Sequence, residues 1–146
     1  MSNVSRIVVG VDGSEASQRA LEWALEEGRH RGSTVEILHA WTTPYVDPYA
    51  IVALDPDLFR DAAELALKRI VAEIATDPHG PEIAPTVVHG AAAPALLDAS
   101  QGADLLVVGS HGHGGFVGML LGSVSQHVLQ HADCPVVVVR SAHTTP

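Results

Sequence analysis

The run Ile7-Val8-Val9-Gly10-Val11 contains no polar residue, and Leu105-Leu106-Val107-Val108 and Val136-Val137-Val138-Val139 repeat the pattern. A strand with one wet face alternates apolar and polar residues, whereas these runs suit strands buried on both faces. Such strands need covering layers on either side. The stretches between the runs supply them, because they read as helices. Asp12-Gly13-Ser14 breaks the first run, and Ser14 can N-cap a helix starting at Glu15 whose inward stripe is Ala20, Leu21, Trp23, Ala24 and Leu25. Gly32 ends it, and residues 35–41 read as a second strand.

Residues 42–55 carry Pro44 and Pro48 and read as a loop. The spacing of Leu65, Leu67, Ile70, Val71 and Ile74 predicts a helix over 58–75, stopped by Asp77-Pro78 and Gly80-Pro81. A third strand over 85–90, a short helix over 95–100, a fourth strand over 104–108, a helix over 123–131 and a last strand over 135–140 complete the pattern. Five strands and four helices in alternation predict an α/β fold with a parallel sheet and helices on both faces.

At 146 residues the expectation is one domain, residues 1–146, large enough to bury its own core. No apolar run approaches the ~20 residues of a membrane span. The first residues lack the basic and hydrophobic regions of a signal peptide, and the single cysteine, Cys134, allows no internal disulfide. A cytoplasmic location is expected, with no membrane partner. The 17 acidic residues against 8 Lys plus Arg give a formal charge of −9, which argues against nucleic-acid binding. A phosphate site in such a chain has to draw its positive potential locally, from backbone N–H groups, a helix end or a metal ion.

The stretch GSHGHGGFVGMLLGS, residues 109–123, follows the fourth strand. Ligands of parallel α/β sheets bind beyond the carboxyl ends of the strands, and two loops are suited to that crevice, residues 10–14 and 109–122. Glycine lets the backbone approach a ligand closely, and the helix opening near Ser123 would turn its free N–H groups toward it. The Ser123 hydroxyl is expected to cap that helix and also to reach a phosphate. An anion cradle is the chemical reading; a tight loop that lets helix and sheet pack closely is the structural alternative. No lysine follows the glycines as a P-loop requires, and a dinucleotide fingerprint would follow the first strand, so NAD is not expected.

The spacing Gly109-x-x-Gly112, nine residues, then Gly122-Ser123 resembles the G-2x-G-9x-G-[ST] signature of ATP-binding universal stress proteins. The likeness extends to residues 7–14, to Val88-His89-Gly90 with Pro94-Ala95, and to residues 134–140. It implies a Rossmann-like open sheet of order 3-2-1-4-5 that binds an adenine nucleotide, ATP with or without Mg²⁺. Carried over by position, Gly10, Val11 and Asp12 lie at adenine and ribose, and Ala40 offers a backbone contact to adenine. Val108 approaches the ribose, Gly109 and Gly112 run along ribose and phosphates, and Gly122, Ser123 and Val124 receive the phosphate tail. Asp12 is suited to accept hydrogen bonds from ribose hydroxyls. Gly10 departs from the proline or alanine common in ATP-binding relatives, which is expected to loosen the adenine pocket; Gly114, Gly115 and Gly118 make the spacer pliable. The resemblance also implies a homodimer through residues 136–140, an apolar edge that invites pairing.

His111 and His113 flank the cradle and can lend positive charge to a phosphate. His127 and His131 stand four apart on one helix, a spacing that can grip zinc, but no third ligand is apparent and a solvated helix face is the better reading. Cys134 reads as a small core residue. No catalytic set is recognisable, so a regulatory stress-response module, with no protein partner identified, is expected over an enzyme. A slow ATPase or phosphoryl-transferring enzyme, a cyclic-AMP binder and a nucleotide-free dimerisation module are the alternatives.

Overall fold

A computed structural model describes residues 5–44, 49, 54–74, 77–112 and 121–141. The elements are β1 (Arg6–Gly10), α1 (Glu15–Arg31), β2 (Thr34–Trp41), α2 (Pro56–Ile74), β3 (Ile83–His89), α3 (Ala92–Ser100), β4 (Leu105–Gly109), α4 (Ser123–His131) and β5 (Val136–Val139). All five strands are parallel, in the order β3-β2-β1-β4-β5. β1 is central, with Ile7 opposite Val35 on one side and Leu105 on the other. The strand order is the one that the family resemblance implies, and the layering is that predicted by the alternation of strands and helices.

The period of two along each strand divides the core. Ile7, Val9, Val35, Ile37, Leu105 and Val107 share a face with Ala20, Leu21 and Ala24 of α1 and Leu67 of α2. Val8, Leu38, Leu106 and Val108 point the opposite way, against Leu96 of α3 and Val128 of α4. Both faces of β1 and β4 are therefore dry, the reason their sequences carry no polar alternation. Each such aliphatic side chain contributes about 1.5–3 kcal/mol of burial. Cys134 is half-buried and packs on the α3–α4 side. No helix among the described residues is long and apolar enough to cross a membrane.

Ser14 N-caps α1, accepting the Ser17 N–H at 3.2 Å, and Gly32 ends the helix in the left-handed region at φ 65°. The inward stripe of α1 is Ala16, Ser17, Ala20, Leu21, Ala24 and Gly28, so Trp23 falls beside it and is 36% exposed rather than core. Leu65 likewise turns out to be half exposed, while Leu67 is buried and Ile70, Val71 and Ile74 pack against the core.

Two elements start earlier than the sequence reading places them, each with a proline inside it. β3 starts at Ile83, two residues before Pro85, because it is an edge strand and can spare a donor. α3 starts at Ala92, with Pro94 in its first turn where the N–H has no helical partner.

Candidate functional site

The carboxyl ends of β1 and β4 diverge into the two loops that frame the site. In the first, Asp12 Oδ1 accepts the Ser14 N–H at 2.8 Å, and the Asp12 N–H donates to Ser17 Oγ at 3.2 Å. Gly13, at φ 83°, makes the turn between them. The Val11 N–H donates to the Leu38 carbonyl at 2.9 Å, and His39 Nδ1 lies 2.9 Å from the Val11 carbonyl. The loop is thus anchored on β2 and on its own helix, while the Asp12 side chain stays exposed.

The second loop leaves β4 at Gly109. A Cβ there would fall 2.7–2.9 Å from Ala16 and the Ser17 nitrogen, so this glycine is required by close packing of α1 on the sheet. For Gly109 the packing role is therefore real, whatever else it touches. At Gly112 a Cβ would lie 2.6 Å from Asp12 Oδ2, which brings the two loops together at one point. Ser14 Oγ adds a long contact, 3.4 Å, to the His111 carbonyl.

α4 opens from Gly122, the N-cap residue, and no side chain caps it. The expectation that Ser123 caps the helix is corrected: Ser123 is the first helical residue and is exposed. The stabilising hydroxyl is that of Ser125, whose single O–H is shared between the carbonyls of Ser110 and Gly122, 3.1 and 2.9 Å from Oγ. The Gly122 N–H also donates to the Ser110 carbonyl.

Between the loops lies a cleft of about 500 Å³, open mouth included. Gly10, Val11, Asp12 and Ala40 line it from β1 and β2; Val108, Gly109, Gly112 and Val124 line it from β4 and α4. Gly122 and Ser123 do not line it. His113, Gly114, Gly115 and Gly118 lie outside the described residues.

Sequence reasoning missed Leu38, Leu96, Ala92 and Ser17 as lining residues. Their patterns are those of core and cap positions, and nothing in a sequence separates an apolar wall from an apolar core. Leu96 alters the expectation for Gly10. A Cβ at Gly10 would stand 3.0 Å from both Leu96 Cδ atoms, so the space that glycine leaves is filled by Leu96 rather than left slack.

The cleft is chemically two-ended. Val11, Leu38, Ala40, Leu96 and Val108 form an apolar slot, and Asp12 is the one carboxylate among the described lining residues. At the other end are the Gly112 backbone, the uncapped start of α4, and His111, the one lining side chain described that can carry positive charge. The Ser110 hydroxyl is 3.1 Å from His111 Nδ1, but Ser110 is buried and does not line the cleft.

The rings of His127 and His131 lie tilted at 43° to each other, centroids 4.6 Å apart, on the exposed side of α4. Among the described residues no group of three or more His, Cys, Asp or Glu is placed to hold a metal ion.

The model of the universal stress protein family matches residues 3–140. Universal stress protein Rv2005c of Mycobacterium tuberculosis is 39% identical over 137 residues, covering 93% of this chain and 45% of the relative. The chain spans about half the length of the curated relatives it matches. Among solved structures, the universal stress protein UspA from Lactobacillus plantarum has a TM-score of 0.78 at 25% identity, covering 96% of this chain and 100% of that one. A universal stress protein crystallised in complex with cAMP has a TM-score of 0.71 at 27% identity, over 97% and 100% of the two chains. With a family match over residues 3–140 and this sheet order beneath it, the chain belongs to the universal stress protein family.

Proposed function

We propose that the cleft binds an adenine nucleotide, ATP by preference, and that the protein is a regulatory module whose occupied and empty forms engage different partners. The observation that carries this reading is the meeting of Asp12 with Gly112 across the cleft, with the apolar slot on one side and the uncapped α4 on the other. The base fits the slot of Val11, Leu38, Ala40, Leu96 and Val108. Asp12 accepts from the ribose hydroxyls. The phosphates meet the Gly112 backbone and the α4 N–H groups, each dipole interaction being worth roughly 0.3–2 kcal/mol. Support for the ligand class comes from the 27%-identical relative crystallised with cAMP.

Asp12, as the one carboxylate among the described lining residues, fits Mg²⁺ only as a single ligand or through water, so phosphate oxygens would supply most of its coordination. Mg²⁺ would neutralise phosphate charge that this acidic chain otherwise repels. No lysine or arginine is among the described lining residues to meet the charge on a transferring phosphoryl group, and binding rather than turnover is the activity proposed. The protein also forms a homodimer in this reading. β5 is an edge strand with all its donors, whereas the opposite edge, β3, is interrupted by Pro85.

Calorimetric titration of nucleotide-free protein with ATP, ADP and cAMP, with and without Mg²⁺, tests the proposal. Saturable ATP binding that weakens about tenfold in Asp12→Ala is expected, which is the loss of about 1.4 kcal/mol. Folded protein that binds none of the three excludes it.

A further inference from the structure

We infer that Ser125, which does not line the cleft, is a positioning residue for its anionic end: its hydroxyl ties the first turn of α4 to the end of β4 and so sets where the free N–H groups of that turn point. This rests on the nucleotide reading above.

Ser125 is 2% exposed, and its single O–H is shared between two carbonyl acceptors, Gly122 at 2.9 Å and Ser110 at 3.1 Å. The bond to Gly122, three residues back, is a local one that many helix-opening serines make. The bond to the Ser110 carbonyl is different in kind, because it spans fifteen residues and bridges both ends of the glycine segment. Ser110 is a firm anchor. It is 1% exposed, and its N–H donates to the Val139 carbonyl on β5 at 2.8 Å. Its carbonyl takes two donors, the Gly122 N–H and the Ser125 hydroxyl, which fills both lone pairs.

The consequence is directional. No side chain caps α4, so the N–H groups of its first turn are left to solvent or ligand, and Val124 in that turn lines the cleft. Gly122 is also packed closely here: a Cβ on it would lie 3.3 Å from the Ser110 carbonyl and 3.7 Å from the Gly112 nitrogen. The two motif glycines thus stand side by side, and the Ser125 hydroxyl is the side-chain tie that holds them in that relation. Binding to a charged tail depends on the aim of those N–H groups. Binding of the nucleoside depends on Asp12 and the apolar slot, to which neither bond of the Ser125 hydroxyl runs.

The test is Ser125→Ala, with ATP and adenosine titrated against variant and wild type, both shown to be folded by circular dichroism. ATP affinity is expected to fall roughly three- to tenfold, the worth of one such hydrogen bond, and adenosine affinity less than about twofold. Amide exchange at Gly122 is expected to quicken in the variant without nucleotide, a change that general loosening of the fold would spread to the β1 amides as well. Equal losses for ATP and adenosine, or an unchanged ATP affinity, overturn the inference, as does an unchanged Gly122 exchange rate. Wild-type protein that binds neither ligand overturns the nucleotide reading itself. Wild-type protein that prefers ATP beside a variant that keeps that preference overturns the role of Ser125 alone.

Discussion

At the amino end of the sheet Arg6 is held by side-chain and carbonyl partners on three sides, whereas at the carboxyl end β1 and β4 both finish in glycine. The Arg6 guanidinium donates to Glu36 at 2.8 Å, to the Ala99 carbonyl at 2.7 Å and to the Gln101 carbonyl at 2.8 Å, while its backbone N–H reaches Asp104 at 2.7 Å. One residue thus binds β2, the end of α3 and the start of β4. At the other end Ser14, Ser17 and Ser125 brace the loops by neutral bonds to backbone groups, and the N–H groups of the first turn of α4 have no side-chain cap. An end tied by a charged side chain stabilises; an end with backbone N–H groups to spare has donors to offer a ligand.

That contrast can be broken from either side. The largest effect is expected from Gly109→Val, which forces a side chain into the backbone of α1 at 2.7–2.8 Å. It should cost about 3 kcal/mol of stability by urea unfolding, which would show that one glycine at the open end belongs to the packing. Arg6→Ala comes next, with a loss of about 2 kcal/mol from charged hydrogen bonds at a partly buried site. Its nucleotide affinity should match wild type in the same calorimetric assay, and a large loss there would mean that the two ends are coupled. Asp12→Ala should do the reverse, with a tenfold loss of affinity and a stability change under about 1 kcal/mol. The smallest effect is expected from Gly10→Ala, about 1 kcal/mol or less, because the flexible Leu96 side chain can yield a few tenths of an ångström. Adding Leu96→Val should recover most of it, and failure to recover would place the strain elsewhere.

The closed core was more legible in the sequence than the open end. Strands β1 and β4 announce themselves by apolar runs buried on both faces and β5 by an unbroken run of half-buried valines, and α1 is marked at each end by Ser14 and Gly32. The starts of β3 and α3 lie earlier than the sequence reading places them, and each element holds a proline whose missing donor costs nothing there, which only the neighbouring strand or turn decides. Trp23 and Leu65 look like core residues by type alone; their angular positions on the helices place them outside it. At the cleft, the family resemblance pointed to Asp12, Gly112 and Val124, which do line it. Ser125 gave no signal, since a buried serine on a helix reads like any other until its distant acceptor is seen. The wall residues Leu38 and Leu96 were hidden among core leucines for the same reason.

The order of the strands also governs when the cleft exists. β1 is made first in the chain, yet its partner β4 begins almost a hundred residues later, the Arg6 N–H bonding to Asp104 across 98 positions. Long closures of this kind make folding slow, and the two loops face each other only once that closure is complete. An unfinished chain has no cleft to fill. A ligand seated there binds only the finished fold, so its concentration adds to the stability of the whole molecule by mass action. Tenancy of the cleft is therefore a report on the integrity of the entire sheet.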